Sequence, residues 1–392
     1  MARTPQTNPT ISQPPKLFVA LELSKNTWKL GMTLSRIGKP RIRDVAARDL
    51  DGFLAEIEAA KARYGLQPDA PVKTCYEAGR DGFWIHRFLE ANGIGNVIVD
   101  SASIEVDRRK RRAKTDRIDA QKLAILLARH HDGEAVFRVV SVPPLESECE
   151  RLLPRQLRSI RRSRTRISNQ IRALLFQHGI DLNPREGSFK GKSFLKALAQ
   201  ARQWDGSRLP AELRAHVRLL WRQFALFTQQ LKKLEQQQRQ VLREARRDAS
   251  QATVAQQKAA CLSLLRGIGD TGSYTLATEF FGWREFRNRG QVGALAGLTG
   301  TPYQSGEGGR EQGISKAGNP RVRTLMVELA WLWLRFQPES ALTKWFHEHT
   351  GKGGSRSRRK AIVALARKLL IQLWHFVEHG VIPEGAVLQE AA

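Results

Sequence analysis

Residues 16–24, KLFVALELS, place five apolar side chains in succession, Leu17 to Leu21, before Glu22 interrupts them. A run this short and rich in β-formers predicts a buried strand. Working outward, NTWKLGMTLS (26–35) reads as its antiparallel partner and PRIRDVAA (40–47) as a third strand. DLDGFLAEIEAAKARYG (49–65) has helical spacing and a glycine stop. VKTCYEAG (72–79) is a strand, DGFWIHRFLEANG (81–93) a helix, NVIVD (96–100) a strand and DRIDAQKLAILLARHH (116–131) a helix. The order βββαβαβ, a basic loop, then α predicts a mixed sheet with helices on its faces.

The rest of the chain reads as mainly helical. ERLLPRQLRSIRRSRTRISNQIRALLFQHG (150–179) carries eight arginines and no acid between Arg151 and Arg172. Residues 209–248 lack internal glycine and proline after Pro210. Together they predict a helical hairpin or coiled-coil arm, or an ordinary solvated helix pair. A glycine-rich loop is expected over 297–318, and the aromatics Trp331, Trp333, Phe336, Trp345 and Phe346 at helical spacing are expected in a core. The domain reading is a flexible tail (1–15), an α/β domain (16–135), a basic helical arm (145–250) and a mainly helical domain (258–350). A basic linker, GKGGSRSRRK, then leads into a last amphipathic helix (together 351–392).

The 392 residues include 65 Lys plus Arg against 38 acids, a net charge of +27. Such an excess strains a compact fold unless a polyanion neutralises it, and nucleic acid is the expected partner. No apolar run reaches the roughly 18 residues of a membrane helix, and residues 1–16 have no signal-peptide segment. Three scattered cysteines, Cys75, Cys149 and Cys261, offer neither a disulfide framework nor metal-ligand spacing. A cytoplasmic, nucleoid-associated location fits.

The stretch RRKRRAKTDRIDA (108–120) sets Asp116 and Asp119 after a cationic run made of Arg108, Arg109, Lys110, Arg111, Arg112 and Lys114. Thr115 or Asp116 could cap the helix, with Asp119 completing a box. Alternatively, at 100° per residue both acids fall at the N-terminal end of the apolar face, where a buried carboxylate needs a counter-charge. Glu22, among apolar neighbours, and Glu77, ending its strand before a turn, are two further candidates. Four such carboxylates could hold two Mg²⁺ ions through oxygen ligands and stabilise both oxygens of a phosphodiester displacement.

In the C-terminal half, Ser305 sits in YQSG beside glycines, with Arg310, Lys316, Arg321 and Arg323 nearby to neutralise a phosphate. Taken alone, a serine in a glycine-rich loop is common. LLRGIGDTGSYTLATEF (264–280) is either a helix-hairpin-helix presenting Gly267 and Gly269 to a DNA phosphate or a helix–helix turn needing glycine to pack. Arg158, Arg161 and Arg162 are expected on a phosphate-gripping face. His130 and His131 read as cations favoured by a helix C-terminus.

The order of elements and the pattern LELSKNTW (21–28), YEAGRDGFW (76–84) and KTDRIDA (114–120) resemble the RuvC-like DEDD transposases of bacterial insertion sequences. The resemblance implies an RNase H-like N-terminal fold with Glu22, Glu77, Asp116 and Asp119 as the catalytic, Mg²⁺-binding tetrad. Glu22 stands where that family usually carries Asp. GLTGTPYQSGEGGREQGISKAGN (297–319) is similar to the family's C-terminal domain, which implies Ser305 as the nucleophile, with Ser315 second. Members known as bridge-RNA-guided recombinases pair the two sites, implying DNA and a structured guide RNA as partners and a homo-dimer or tetramer. The competing readings are a Mg²⁺-dependent junction-resolving nuclease and a nucleic-acid-binding protein without catalysis.

Overall fold

A computed structural model describes residues 15–104, 115–184, 192–305, 308–351 and 353–389. The tail expected over 1–15, all but its last residue, and the run Arg108, Arg109, Lys110, Arg111, Arg112 and Lys114 lie outside the described residues. The chain divides into two compact units, residues 1–142 and 143–392.

In the first unit the described elements run β1 (Leu17–Leu23), β2 (Thr27–Thr33), β3 (Arg41–Ala46), α1 (Leu50–Arg63), β4 (Val72–Glu77), α2 (Trp84–Ala91), β5 (Gly95–Val99) and α3 (Asp116–His131). The strand order is β3-β2-β1-β4-β5. The first three strands form an antiparallel meander, whereas β1/β4 and β4/β5 are parallel. The continuous apolar run of β1 is explained by its central place, with both faces covered. Leu17, Val19 and Leu21 join Phe53 and Ile57 of α1 and Ile85 and Leu89 of α2. Phe18 and Ala20 face the other way, against Leu123, Ala124 and Leu127 of α3. Each fully buried aliphatic side chain contributes about 1.5–3 kcal/mol. Gly31 of β2 permits the close approach of α3, because a Cβ there would collide with the Ala120 carbonyl.

In the second unit the elements are α4 (Leu145–Glu150), α5 (Leu152–Phe176), α6 (Lys192–Gln200), α7 (Ala211–Arg247), α8 (Val254–Leu262) and α9 (Asp270–Leu276). A π-helical turn, Ala277–Phe281, prolongs α9. Then follow α10 (Arg289–Leu295), β6 (Gly300–Ser305), β7 (Gly308–Ile314), α11 (Pro320–Phe336), α12 (Ala341–Thr350) and α13 (Ser355–His379). Helices α5 and α7 make an antiparallel hairpin. Ile167, Ile171 and Leu175 meet Val217, Leu220 and Phe224 at one end, with α6 adding Phe194 and Leu198. At the other end Leu153 and Leu242 pack with Ala259, Tyr274 and Ala277. The largest core joins the π-helical turn, α11, α12 and α13 through Phe280, Phe281, Met326, Trp333, Phe346 and Leu369.

Three expectations are corrected here. The glycine-rich loop over 297–318 contains a β-hairpin, β6–β7, whose strands pair from Gly300↔Ile314 to Ser305↔Gly308. Its ladder is irregular near Pro302, which has no N–H to donate. The basic linker ends early: residues 355–360 are the first turns of α13, since arginine and lysine are good helix formers once past Gly354. Trp331 is 42% exposed and stands outside the core, whereas Trp333, two residues on, is 1% exposed and bonds Ser340 Oγ through its indole nitrogen.

Candidate active site and nucleic-acid interface

Two sets of functional candidates arise, one in each unit. In the first, the parallel register pairs Leu21 with Tyr76, so Glu22 and Glu77 follow as neighbours at the C-terminal ends of β1 and β4. Side chains alternate along a strand. Glu22 therefore shares the face of Phe18 and Ala20, and Glu77 that of Cys75, which is the α3 face. Helix α3 runs against the direction of β1. The His131 ring lies 5.4 Å from Phe18 at the start of that strand, and Ala120 sits over Gly31, whose partner is Ala20. The first turn of α3, with Asp116 and Asp119, thus reaches the same sheet edge as the two glutamates. Thr115 caps this helix, accepting from Ile118 N–H at 3.4 Å. The Tyr76 hydroxyl donates to the Gly82 carbonyl at 2.9 Å, and Ala78 N–H donates to the Val99 carbonyl at 2.8 Å. These bonds hold the turn after Glu77.

The four acids are gathered at one edge but do not converge. Among the described residues no group of three or more His, Cys, Asp or Glu side chains could hold a metal ion. Asp116 and Glu77 are exposed, and Asp119 and Glu22 half-buried. The expectation of buried carboxylates at the start of the apolar face is therefore corrected for Asp116, which is exposed, while Asp119 is half-buried. The first turn of α3 overhangs the strand ends, and burial begins at Ala120. The donor set suits a hard divalent cation in its chemistry, but its side chains form no preformed cage. At the far end of α3, His131 is also corrected. Desolvation beside Phe18, then Lys73, His130 and Lys16, hold its pKa below the usual histidine value, so the neutral ring is favoured.

In the second unit, Ser305 ends β6 beside the hairpin turn. Its side chain and that of Arg310 fall within 303–311, whose side chains lie outside the description. The foot of the hairpin is closely built. Ser315 N–H donates to the Thr299 carbonyl at 2.8 Å and Lys316 N–H to that of Gly297 at 3.3 Å. Gly297 has φ +69°, and a Cβ there would meet the Ala317 carbonyl and the Arg323 guanidinium. Arg323 is thus a staple, donating to the Lys316 carbonyl at 2.9 Å and to that of Ala296 at 3.4 Å. Lys316 takes an unusual φ of +56°. Ser315 is exposed at this foot, at the opposite end of the hairpin from Ser305.

Next to this foot lies a node that sequence reasoning missed. Glu279, on the π-helical turn, is 1% exposed and accepts two bonds from Arg155, at 2.7 and 2.9 Å. Arg321 Nε lies 3.9 Å away, and Asn319 Nδ2 donates to Glu279 Oε2 at 3.4 Å. Burial alone would raise the Glu279 pKa; the bonds and charge of Arg155, with Arg321 and Asn319, outweigh it and hold the pKa below the ordinary carboxylate value. Asn319 also caps α11, accepting from Arg321 and Val322 N–H. Two signals could have found this node: a lone acid inside LATEFFGW, and the Asn-Pro pair of a helix start.

The arginine face of α5 is split. Arg155 is committed to Glu279, and Arg161 to Glu235 at 2.7 Å, with Thr271 at 3.4 Å. The expected phosphate role of Arg161 therefore competes with an internal pair. Arg158 and Arg162 have no ion pair among the described residues and line a cleft of about 820 Å³ between α5, α9 and α11. Gly267 serves packing: its φ is +91°, and a Cβ would lie 3.0 Å from that of Phe336. Gly269 is the N-cap position of α9.

Comparison with known proteins settles the family. The chain is 40% identical over 383 residues to y4rJ of Sinorhizobium fredii, named as a transposase, covering 95% of this chain and 94% of that one. The profile described as "Transposase IS116/IS110/IS902 family" matches residues 259–345. The chain belongs to this transposase family. The transposase for insertion sequence element IS1328 of Yersinia enterocolitica is 26% identical over 264 residues, 64% of this chain and 72% of that one. The family match holds the node of this transposase, from the π-helical turn through the hairpin to α11, whereas the y4rJ match spans nearly the whole chain.

Proposed function

We propose that this transposase mobilises an insertion sequence by cutting and rejoining DNA, with Ser305 as nucleophile and Glu22, Glu77, Asp116 and Asp119 as a magnesium-binding set. The observation that supports the reading is that Glu22 and Glu77 follow paired positions at the C-terminal ends of β1 and β4, with Asp116 and Asp119 in the first turn of α3. Family membership supplies the DNA chemistry. The Ser305 Oγ bonds to phosphorus while the bond from phosphorus to the leaving sugar oxygen breaks. The serine proton leaves to a base, and the sugar oxygen departs protonated. Attack by a sugar hydroxyl then reverses these events on a new strand and frees the serine. Mg²⁺, when bound, stabilises negative charge on phosphoryl and leaving oxygens. The chain's own residues position the reaction: Asn319 caps α11, Arg323 fixes the hairpin foot, and the basic surface holds the polyanion. An element-encoded structured RNA guides the choice of DNA, and a homo-dimer or tetramer brings the two kinds of site together.

The test is a denaturing-gel assay for a protein–DNA adduct on element-end DNA with Mg²⁺. Wild type and Ser315→Ala form the adduct; Ser305→Ala and Asp116→Ala do not. An undiminished adduct in Ser305→Ala means the nucleophile is another residue. Mg²⁺-dependent nicks without any adduct point to a nuclease, and no cleavage at all to a binding protein.

A further inference from the structure

We infer that the cleft between α5, α9 and α11 is a binding site for one nucleic-acid strand, whose phosphates are held by Arg158, Arg162 and Arg166. It rests on the transposase reading only in expecting a nucleic-acid ligand. These three arginines stand at four-residue intervals on one helix. At 1.5 Å per residue they form a row about 12 Å long, one guanidinium every 6 Å or so. All three line the cleft, and none has an ion pair among the described residues. Their neighbours differ. Arg155 is held by the buried Glu279 and Arg161 by Glu235, and both act as scaffold. The row thus stays open while the cleft walls are fixed by the other arginines of the same helix.

The walls fit a strand better than an acidic peptide. Guanidinium forks bind phosphate bidentately. Asn169 and Gln170 add exposed amide donors, and Leu325 and Ala173 give an apolar floor for sugar or base. Glu328 is the acid on the α11 wall, exposed and without an ion pair among the described residues. Arg321 lies at the end of the cleft nearest Asn319, so a strand in the cleft leads to the foot of the hairpin that bears Ser305. RNA and DNA share the backbone chemistry, and the assay distinguishes them.

The full-length protein is titrated against labelled single-stranded RNA and DNA of one sequence, by fluorescence anisotropy across a salt series. Replacing Arg158, Arg162 and Arg166 together by Gln is expected to lower the log–log salt slope by about 2, at roughly 0.7 for each single-strand phosphate no longer neutralised. Glu328→Gln is expected to tighten binding. A change confined to RNA or to DNA identifies the strand; a change for both assigns a shared site. Because the three arginines have no ion pairs to forfeit among the described residues, the thermal midpoint is expected to stay at the wild-type value. As a second measurement, photo-crosslinks from halogenated uridine are expected within residues 152–176 and 320–336. If the wild type binds with a steep slope and the triple variant keeps that slope, with crosslinks elsewhere, the cleft assignment is overturned while the transposase reading stands. A polyglutamate competitor as effective as RNA or DNA of equal charge also overturns it. A wild type whose binding ignores salt overturns both this site and the polyanion reading.

Discussion

The carboxylate edge of the first unit and the arginine cleft of the second are charged in opposite senses and built by opposite means. At the edge, backbone geometry does the placing: two parallel strand ends and one helix start deliver four acids, two of them exposed. In the cleft a single buried acid does it. Glu279 anchors Arg155, approaches Arg321 and bonds the cap of α11. The exposed carboxylate of Asp116 at the helix start can be removed with little harm to the fold. A charge placed by a buried partner cannot, because the remaining ion is left desolvated.

The sharpest break in this comparison is expected at the edge, in activity. Asp116→Ala or Asp119→Ala should reduce recombination by at least about 100-fold, since even partners of metal ligands are worth 10–100-fold. Stability should move by no more than about 0.5 kcal/mol, as for surface changes generally. Recombination assays beside thermal melts measure both, and normal recombination in the double variant sinks the metal-site proposal. The next effect belongs to the cleft, in stability. Glu279→Ala should cost about 2–3 kcal/mol, less than a fully buried pair because Arg155 remains 37% exposed. Chemical denaturation checks it, and Glu279→Gln should cost less.

The same residue sets an acid dependence. The Glu279 pKa is lower in the folded chain than its ordinary value of 4.5. Its stabilisation is therefore complete above about pH 4.5 and disappears as pH falls through the lower folded value. The wild type should converge on Glu279→Gln in acid, and parallel stability curves would contradict this. The smallest effect is expected at His131, whose folded pKa is depressed from 6.5. Its contribution is present above pH 6.5 and disappears below it. His131→Phe should flatten that small slope in the first unit and leave the cleft variants unaffected. NMR titration of the ring reads the shift directly.

The sheet was legible in the sequence because a strand with both faces covered must be apolar throughout, as Leu17 to Leu21 are. The Asp116 helix start and the acids at strand ends were legible too, being properties of local chain direction. The glycines of 297–318 were ambiguous, since glycine serves both a mobile loop and a tight hairpin foot. Only the packing around Gly297 and Gly318 decides for the hairpin foot.

What the sequence by itself determined is what local pattern and composition control: the order of elements in the first unit, the long helices of the second, the charge excess and the resemblance carried by its motifs. Tertiary structure alone decided which charges are available. Arg155, Arg158, Arg161 and Arg162 look alike along one arginine-rich helix. Their fates differ because Glu279 and Glu235, distant in sequence, come within 2.7 Å of two of them. Electrostatic pairing depends on separation in space, and only the folded chain sets that separation.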